Sequence, residues 1–361
     1  MENLPKKTMH EHGKERRDNI PTNILEKIAG DDPEKILQEQ LYKKFGNRFL
    51  EYRKKYNTML NDDQHKQYLD YPLSVVLELV NRCDLECVMC YQGFRNDTDK
   101  VTVDEKILDK IFDDFKKNKL SALMLTASEP LLYKHIGKVL ARAKEAEIMD
   151  IFLFTNGSLL NKKNSEMILN SSITRMFVSV DAATEETYDK VRIPVSKRLL
   201  EKNRLEQLEN KVKDFIEMRD SMNNKLPLTR VSFVALKENK HEIEMFKNKW
   251  KGIVDSVEIQ RETSIEVYDK LKDIENGNSY QNENTEYNCT KPWGDMAIYS
   301  DGSVGPCCNL VGRKTPIGNI NDNSIYEIWN GEVMNEIREG FKNNSPNDTC
   351  KICIDSQKVN I

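Results

Sequence analysis

From Leu73 onward, short runs dense in β-branched and aromatic residues alternate with longer amphipathic stretches. Six such runs, LSVVLELV, SALMLTA, MDIFLFT, TRMFVSV, TRVSFVAL and VDSVEIQ, read as strands. VDEKILDKIFDDFKKN and LYKHIGKVLARAKEAE between them carry apolar residues at helical spacing. The strand runs show little apolar–polar alternation, as expected of a parallel sheet covered on both faces. Right-handed crossovers would curl it into a partial (β/α)6 barrel of TIM-like architecture, with chemistry at the C-terminal ends of its strands. Before this core, PTNILEKIAGDDPEKILQEQLYKKF has helical spacing with Pro33 at a first-turn position, so residues 1–70 are expected to form a strand-free helical extension. After the core at 71–272 the period breaks. MAIYSDGSVGPCC reads as a hairpin turning at Asp301 and Gly302, and SIYEIWNGEVMNEIREGF as helix, giving a small unit at 273–361 whose core calls for a staple.

Composition narrows the function. With 55 basic and 59 acidic side chains the net charge is -4, which calls for neither nucleic acid nor an anionic membrane as partner. No run is long and apolar enough to span a bilayer, and the first residues lack the apolar core of a signal peptide, so a cytoplasmic location is expected. There, eight cysteines point to metal or redox work rather than disulfides. They fall into two groups, Cys83, Cys87 and Cys90 early, then Cys289, Cys307, Cys308, Cys350 and Cys353 late.

Cys83, Cys87 and Cys90 form a C-x3-C-x2-C loop directly after the first core strand. Three thiolates fill three corners of a [4Fe-4S] cube and leave its fourth iron open to a small molecule. A zinc centre is the competing use of the same thiolates, and an electron carrier would need a fourth ligand. In sequence and position this loop resembles the signature of radical S-adenosylmethionine (SAM) enzymes. That resemblance implies SAM on the open iron, its reductive cleavage to a 5′-deoxyadenosyl radical, and hydrogen abstraction from a substrate. It also implies a flavodoxin or ferredoxin as electron donor.

Three further segments carry the likeness. Ala127, Ser128, Glu129 and Pro130 stand where the family has Gly-Gly-Glu-Pro, implying that Glu129 meets the SAM ammonium; both glycines are missing. FTNGSLL resembles the family's Thr-Asn-Gly turn and sets Asn156 at the barrel mouth. VSVDAATEETYDKVR resembles its Ser-x-Asp-Gly segment, implying Ser179 and Asp181 at the ribose and Arg192 at the carboxylate of SAM; helix capping is the plainer role for such a Ser or Asp. Met89 or Tyr91 would pack near the adenine.

The late group is similar to a SPASM domain in its shorter twitch form. Cys289, Cys307, Cys350 and Cys353 would saturate one auxiliary [4Fe-4S] cluster, with a zinc ribbon as the alternative. Cys308 remains. It is either a small buried residue or, as in related epimerases, the thiol that returns a hydrogen atom to the substrate radical. The resemblance thus implies epimerisation or dehydrogenation of a carbohydrate-like or other small metabolite, with peptide or sulfatase maturation as the alternative substrate class.

Overall fold

The computed structural model describes residues 24–27, 33–60, 69–90, 101–196, 202–222, 225–262, 267, 270–271, 274, 280, 286–307 and 310–357. Tyr91 and Cys308 lie outside these residues. Six parallel strands form the centre: β2 Ser74–Leu77, β3 Ala122–Leu125, β4 Asp150–Thr155, β5 Arg175–Ser179, β6 Leu228–Ala235 and β7 Ser256–Arg261. They hydrogen-bond in chain order, as right-handed crossovers require. The helices between them are α3 Glu105–Asn118, α4 Ile136–Glu145, α5 Lys162–Leu169, α6 Glu185–Val191, α7 Arg204–Ser221 and α8 Ile243–Trp250. They pack on one face of the sheet. In α3 the spacing of Leu108, Ile111, Phe112 and Phe115 makes a buried stripe, and the Asp104 side chain caps the helix by accepting from Lys106 N at 2.8 Å.

The N-terminal extension differs from its strand-free reading. Ile24–Lys27 forms strand β1, antiparallel to β7, before α1 Pro33–Phe45 and α2 Asn47–Leu60. Helical periodicity hid it because what makes it a strand is remote in sequence: the open backbone donors and acceptors of the β7 edge. Leu37, Leu41, Phe49 and Tyr52 of the two helices pack on Leu73, Ala122, Met149 and Leu228, residues at the N-terminal ends of the barrel strands. Arg175, buried at the start of β5, bridges Glu34 on α1 at 2.8 Å and Asp150 on β4. The extension therefore plugs the bottom of the barrel and leaves its opposite mouth open.

The C-terminal region continues the same sheet. After the single turn α9 Lys291–Gly294, strand β8 Asp295–Ile298 pairs parallel to β2, and β9 Ser303–Gly305 and β10 Gly318–Asn319 follow antiparallel, giving ten strands in the order β1-β7-β6-β5-β4-β3-β2-β8-β9-β10. Gly302, at φ +85°, makes the hairpin turn in the left-handed region open to glycine. Beyond lie α10 Leu310–Lys314, α11 Ile325–Trp329, α12 Glu332–Lys342 and α13 Asp348–Gln357. Trp293, Met296, Ile298, Trp329 and Met334 join the barrel's main hydrophobic cluster, so this small unit gains its core by sharing one. Trp329 Nε1 also donates to Leu69 O at 2.6 Å, tying α11 to the chain just ahead of β2. No helix among the described residues is long and apolar enough to cross a membrane.

Candidate active site at the barrel mouth

The first cysteine loop leaves β2 at its C-terminal end. Residues 84–88 are held by a second segment, 191–195, that follows α6: Val88 N donates to Val191 O at 3.1 Å, Glu86 N to Ile193 O at 2.7 Å and Val195 N to Asp84 O at 3.0 Å. Leu85, Met89, Val191 and Leu236 wrap the thiols in apolar surface. The described cysteines are thiols, none in a disulfide. Burial pushes the thiol of Cys83 up, and that of Cys87 up to about 11 against the opposing pull of Arg192. Ligation as thiolates must therefore release protons.

Donors from three elements converge on these sulfurs. Leu85 N lies 3.5 Å from Cys83 Sγ, Asn156 Nδ2 3.5 Å from the same atom, and Arg192 Nη1 3.3 Å from Cys87 Sγ. Asp84, with Oδ1 3.7 Å from Cys83 Sγ, is occupied by Asn156 Nδ2 at 2.7 Å and by Ser158 Oγ at 2.6 Å. Asn156 thus clamps the cluster loop to the turn after β4. Among the described residues, no three His, Cys, Asp or Glu side chains converge as a single chelated ion demands. Thiols that are buried at Cys87 and half-buried at Cys83 and Cys90, with hydrogen-bond donors around them, fit an iron–sulfur cube held by these three residues.

Glu129 lies beside the loop, at the end of β3, only 1% exposed. It caps the 3-10 turn Pro130–Leu132: Oε1 accepts from Leu131 N at 3.1 Å and from Thr155 Oγ1 at 2.9 Å, and Oε2 from Asn156 N at 2.7 Å. Burial pushes its carboxyl up to about 7 despite these bonds. The folded chain therefore holds this proton more tightly than the unfolded chain. The stability it contributes is complete in acid and is lost as pH climbs from the ordinary carboxylate range to about 7, with no further change above. We expect a loss of about 3 kcal/mol across that window, absent in Glu129→Gln, when urea denaturation of the two proteins is compared from pH 5 to 8.

The missing glycines are answered by backbone geometry. Ala127 adopts φ +80°, in the region glycine occupies without strain, and Ser128 Oγ donates to its carbonyl at 2.6 Å. A left-handed alanine costs about 1 kcal/mol. Ala127→Gly should accordingly hold or raise the melting temperature even though it loosens the unfolded chain, whereas a β-branched Ala127→Val should lower it by several degrees in a thermal melt.

Ser179 closes β5, half-buried, facing the barrel interior. Asp181, at φ +64° and fully buried, accepts from Val234 N at 2.6 Å and pairs with Arg192, while Asn239 Nδ2 donates to its carbonyl at 2.8 Å. The structure brings the Ser179, Asp181 and Arg192 side to the same mouth as Glu129 and Asn156. Arg192 pairs with Asp181 and donates to Cys87 Sγ, and Asp181 also accepts from Val234 N.

Three features escaped the sequence. Asp84 is one. The second is Glu78, fully buried at the end of β2, which accepts from Ser300 Oγ at 2.8 Å and from Arg313 Nη2 at 2.5 and 2.6 Å, with the guanidinium 4.0 Å above the Tyr299 ring. A lone charge inside the apolar run LSVVLELV was its signal. The third is the inner wall of the barrel, where Phe152, Phe154, Ser179, Arg230, Glu258 and Gln260 are only partly buried while their strand neighbours are covered by helices. Arg230 stacks on Phe177 at 4.3 Å and donates to Glu258 at 3.0 Å, and Gln260 Nε2 donates to the same Glu258 oxygen at 2.9 Å.

Cys289, Cys350 and Cys353 lie near one another, and burial, then the two neighbouring cysteines, pushes the Cys350 thiol up to about 12. Cys307 packs with Cys353 and Ile352 at the hairpin's end, and Gly312 comes so close to it that a Cβ there would stand 2.5 Å from Cys307 O. Four largely buried thiols from a hairpin, the segment before it and a C-terminal helix fit a saturated auxiliary cluster.

Comparison with known proteins matches two domains to the chain. The radical SAM superfamily profile matches residues 77–249, and the SPASM iron–sulfur cluster-binding domain matches residues 289–354. Over 121 residues the chain is 30% identical to a probable GTP 3′,8-cyclase of Methanocaldococcus jannaschii, a match spanning 33% of this chain and 39% of that enzyme. In fold it is similar to Streptococcus suis SuiB bound to the precursor peptide SuiA (TM-score 0.56, 18% identity, 80% of this chain and 71% of that one). It is also similar to anSMEcpe with bound AdoMet and the Cp18Cys peptide (TM-score 0.53, 16% identity, 75% of this chain and 83% of that one). A [4Fe-4S] cluster on Cys83, Cys87 and Cys90 would supply one-electron cleavage of SAM. The chain carries a radical SAM domain and a C-terminal SPASM iron–sulfur cluster-binding domain, which indicate [4Fe-4S] clusters and SAM, on a partial (β/α)6 barrel.

Proposed function

We propose that the enzyme abstracts a hydrogen atom from a small, polar, carbohydrate-like metabolite bound inside the barrel and leads it to epimerisation or dehydrogenation. The observation that carries this reading is the inner wall: a carboxylate, a guanidinium and an amide, mutually hydrogen-bonded, stand beside the Phe154 and Phe177 rings, whose centroids are 4.7 Å apart. Aromatic surface with a few fixed polar groups suits a hydroxylated ring, offering it an apolar face and hydrogen-bond partners for vicinal hydroxyls. We assign Cys83, Cys87 and Cys90 to the SAM-cleaving cluster and Cys289, Cys307, Cys350 and Cys353 to the auxiliary one. Glu129, with Oε2 able to accept a second hydrogen bond, is assigned to the SAM ammonium. A flavodoxin or ferredoxin is the expected electron source.

The test is anaerobic reconstitution with dithionite and SAM, adding cell metabolites below about 1 kDa or a peptide fraction, and following 5′-deoxyadenosine. Substrate-dependent formation with the small-molecule fraction supports the reading; formation with peptides alone overturns it. In deuterated water, epimerisation by return of a hydrogen atom from an exchangeable thiol leaves one deuterium in the product. Dehydrogenation, in which the substrate radical gives up one proton and one electron, yields a product lighter by two hydrogens.

A further inference from the structure

Arg192 stands at the end of α6 with its side chain 9% exposed. Three fixed contacts hold it. Its backbone N–H donates to Tyr188 O at 2.8 Å, its carbonyl accepts from Arg204 Nη2 at 2.6 Å, and Nη2 pairs with the fully buried Asp181. It sits on the segment that ladders onto the cysteine loop, so Nη1 is delivered to Cys87 Sγ at 3.3 Å. Asp181 is itself pinned, through Val234 N and Asn239 Nδ2, to the end of β6. The result is a chain from strand end to carboxylate, guanidinium and ligand sulfur, enclosed by Leu85, Met89, Val191 and Leu236. A buried cation that donates to a sulfur in low-dielectric surroundings acts strongly on whatever charge that sulfur carries.

We propose that Arg192 is a tuning residue for the SAM-cleaving cluster: its hydrogen bond to Cys87 raises the cluster's reduction potential, and Asp181 limits how much of its positive charge the cluster feels. The physical basis is that reduction adds negative charge to the thiolate-ligated cube, and a donor or cation at a ligand sulfur stabilises the reduced form more than the oxidised one. The carboxylate 0% exposed behind it offsets part of that charge, so the two residues act with opposite signs. This inference concerns the electron-accepting step alone and does not depend on the identity of the substrate.

The experiment is a redox titration of the reconstituted holoenzyme followed by electron paramagnetic resonance. The midpoint is read from the cluster whose signal changes when SAM is added, and iron content is measured in each sample. Arg192→Gln should move that midpoint to more negative potential and leave the auxiliary cluster's midpoint where it is. Arg192→Lys, retaining a cation without the planar fork, should fall between it and wild type, and Asp181→Asn should move the midpoint the other way. If Arg192→Gln fails to hold its cluster, Arg192→Lys decides alone. An unchanged midpoint in the variant that holds the cluster overturns the proposal, including the case in which only SAM affinity weakens and Arg192 proves to be a carboxylate ligand.

Discussion

Replacing Cys83, Cys87 or Cys90 by Ala should abolish 5′-deoxyadenosine formation and cost the purified protein roughly half of its iron, because the auxiliary site keeps its own ligands. Cys83, Cys87 and Cys90 share one small hydrophobic cluster, and none of the late cysteines belongs to it: Cys307 and Cys353 lie in another, and Cys350 and Cys289 at the main core, so loss of the first site leaves the packing around the second in place. Chromatography of the quenched reaction measures the first effect, and iron quantitation with the visible absorption of anaerobically reconstituted protein the second. A Cys87→Ala protein that still cleaves SAM at a tenth of the wild-type rate or more would refute the assignment. Cys308→Ala should leave cleavage intact; if it also leaves epimerised product intact, its role as hydrogen donor is lost.

Arg313→Ala should destabilise the protein by about 3–5 kcal/mol, since it leaves the Glu78 carboxylate, with no exposed surface, facing Ser300 alone. The pair joins Glu78, the residue just after β2, to α10, so it couples the barrel to the SPASM domain across a parallel strand pair. Adding Glu78→Gln to Arg313→Ala should recover stability relative to Arg313→Ala alone, because an amide costs far less than an unpaired carboxylate to bury. Urea denaturation of the three proteins checks this. A loss below about 1 kcal/mol in Arg313→Ala would mean that the carboxylate is reached by water or by another cation.

Much of the site was legible because its residues are local in sequence. Cys83, Cys87 and Cys90 share one loop, so their C-x3-C-x2-C spacing is read directly along the chain. The turns holding Glu129, Asn156 and Asp181 each follow a strand run, so parallel topology carries all three to one mouth. What they do there was not legible. In the folded chain Asn156 reaches Cys83 and Asp84, and Arg192 reaches Cys87 and Asp181. Except for the Arg192–Asp181 pair, those contacts join residues 72 to 105 positions apart, and no periodicity encodes them.

The same division holds for the fold. Strand runs, amphipathic helices, the cysteine spacing and the Asp301-Gly302 turn are set by neighbours a few positions apart, where side-chain period and backbone preference decide, and they fixed the barrel, its mouth and its cofactors. Strand β1, the continuation of the sheet through β8, the Glu78 and Arg313 pair and the polar inner wall depend on which edges and cavities remain once the barrel has closed. Those are properties of pairing and burial between distant segments, where an exposed edge or a buried charge recruits whatever partner the fold brings within reach.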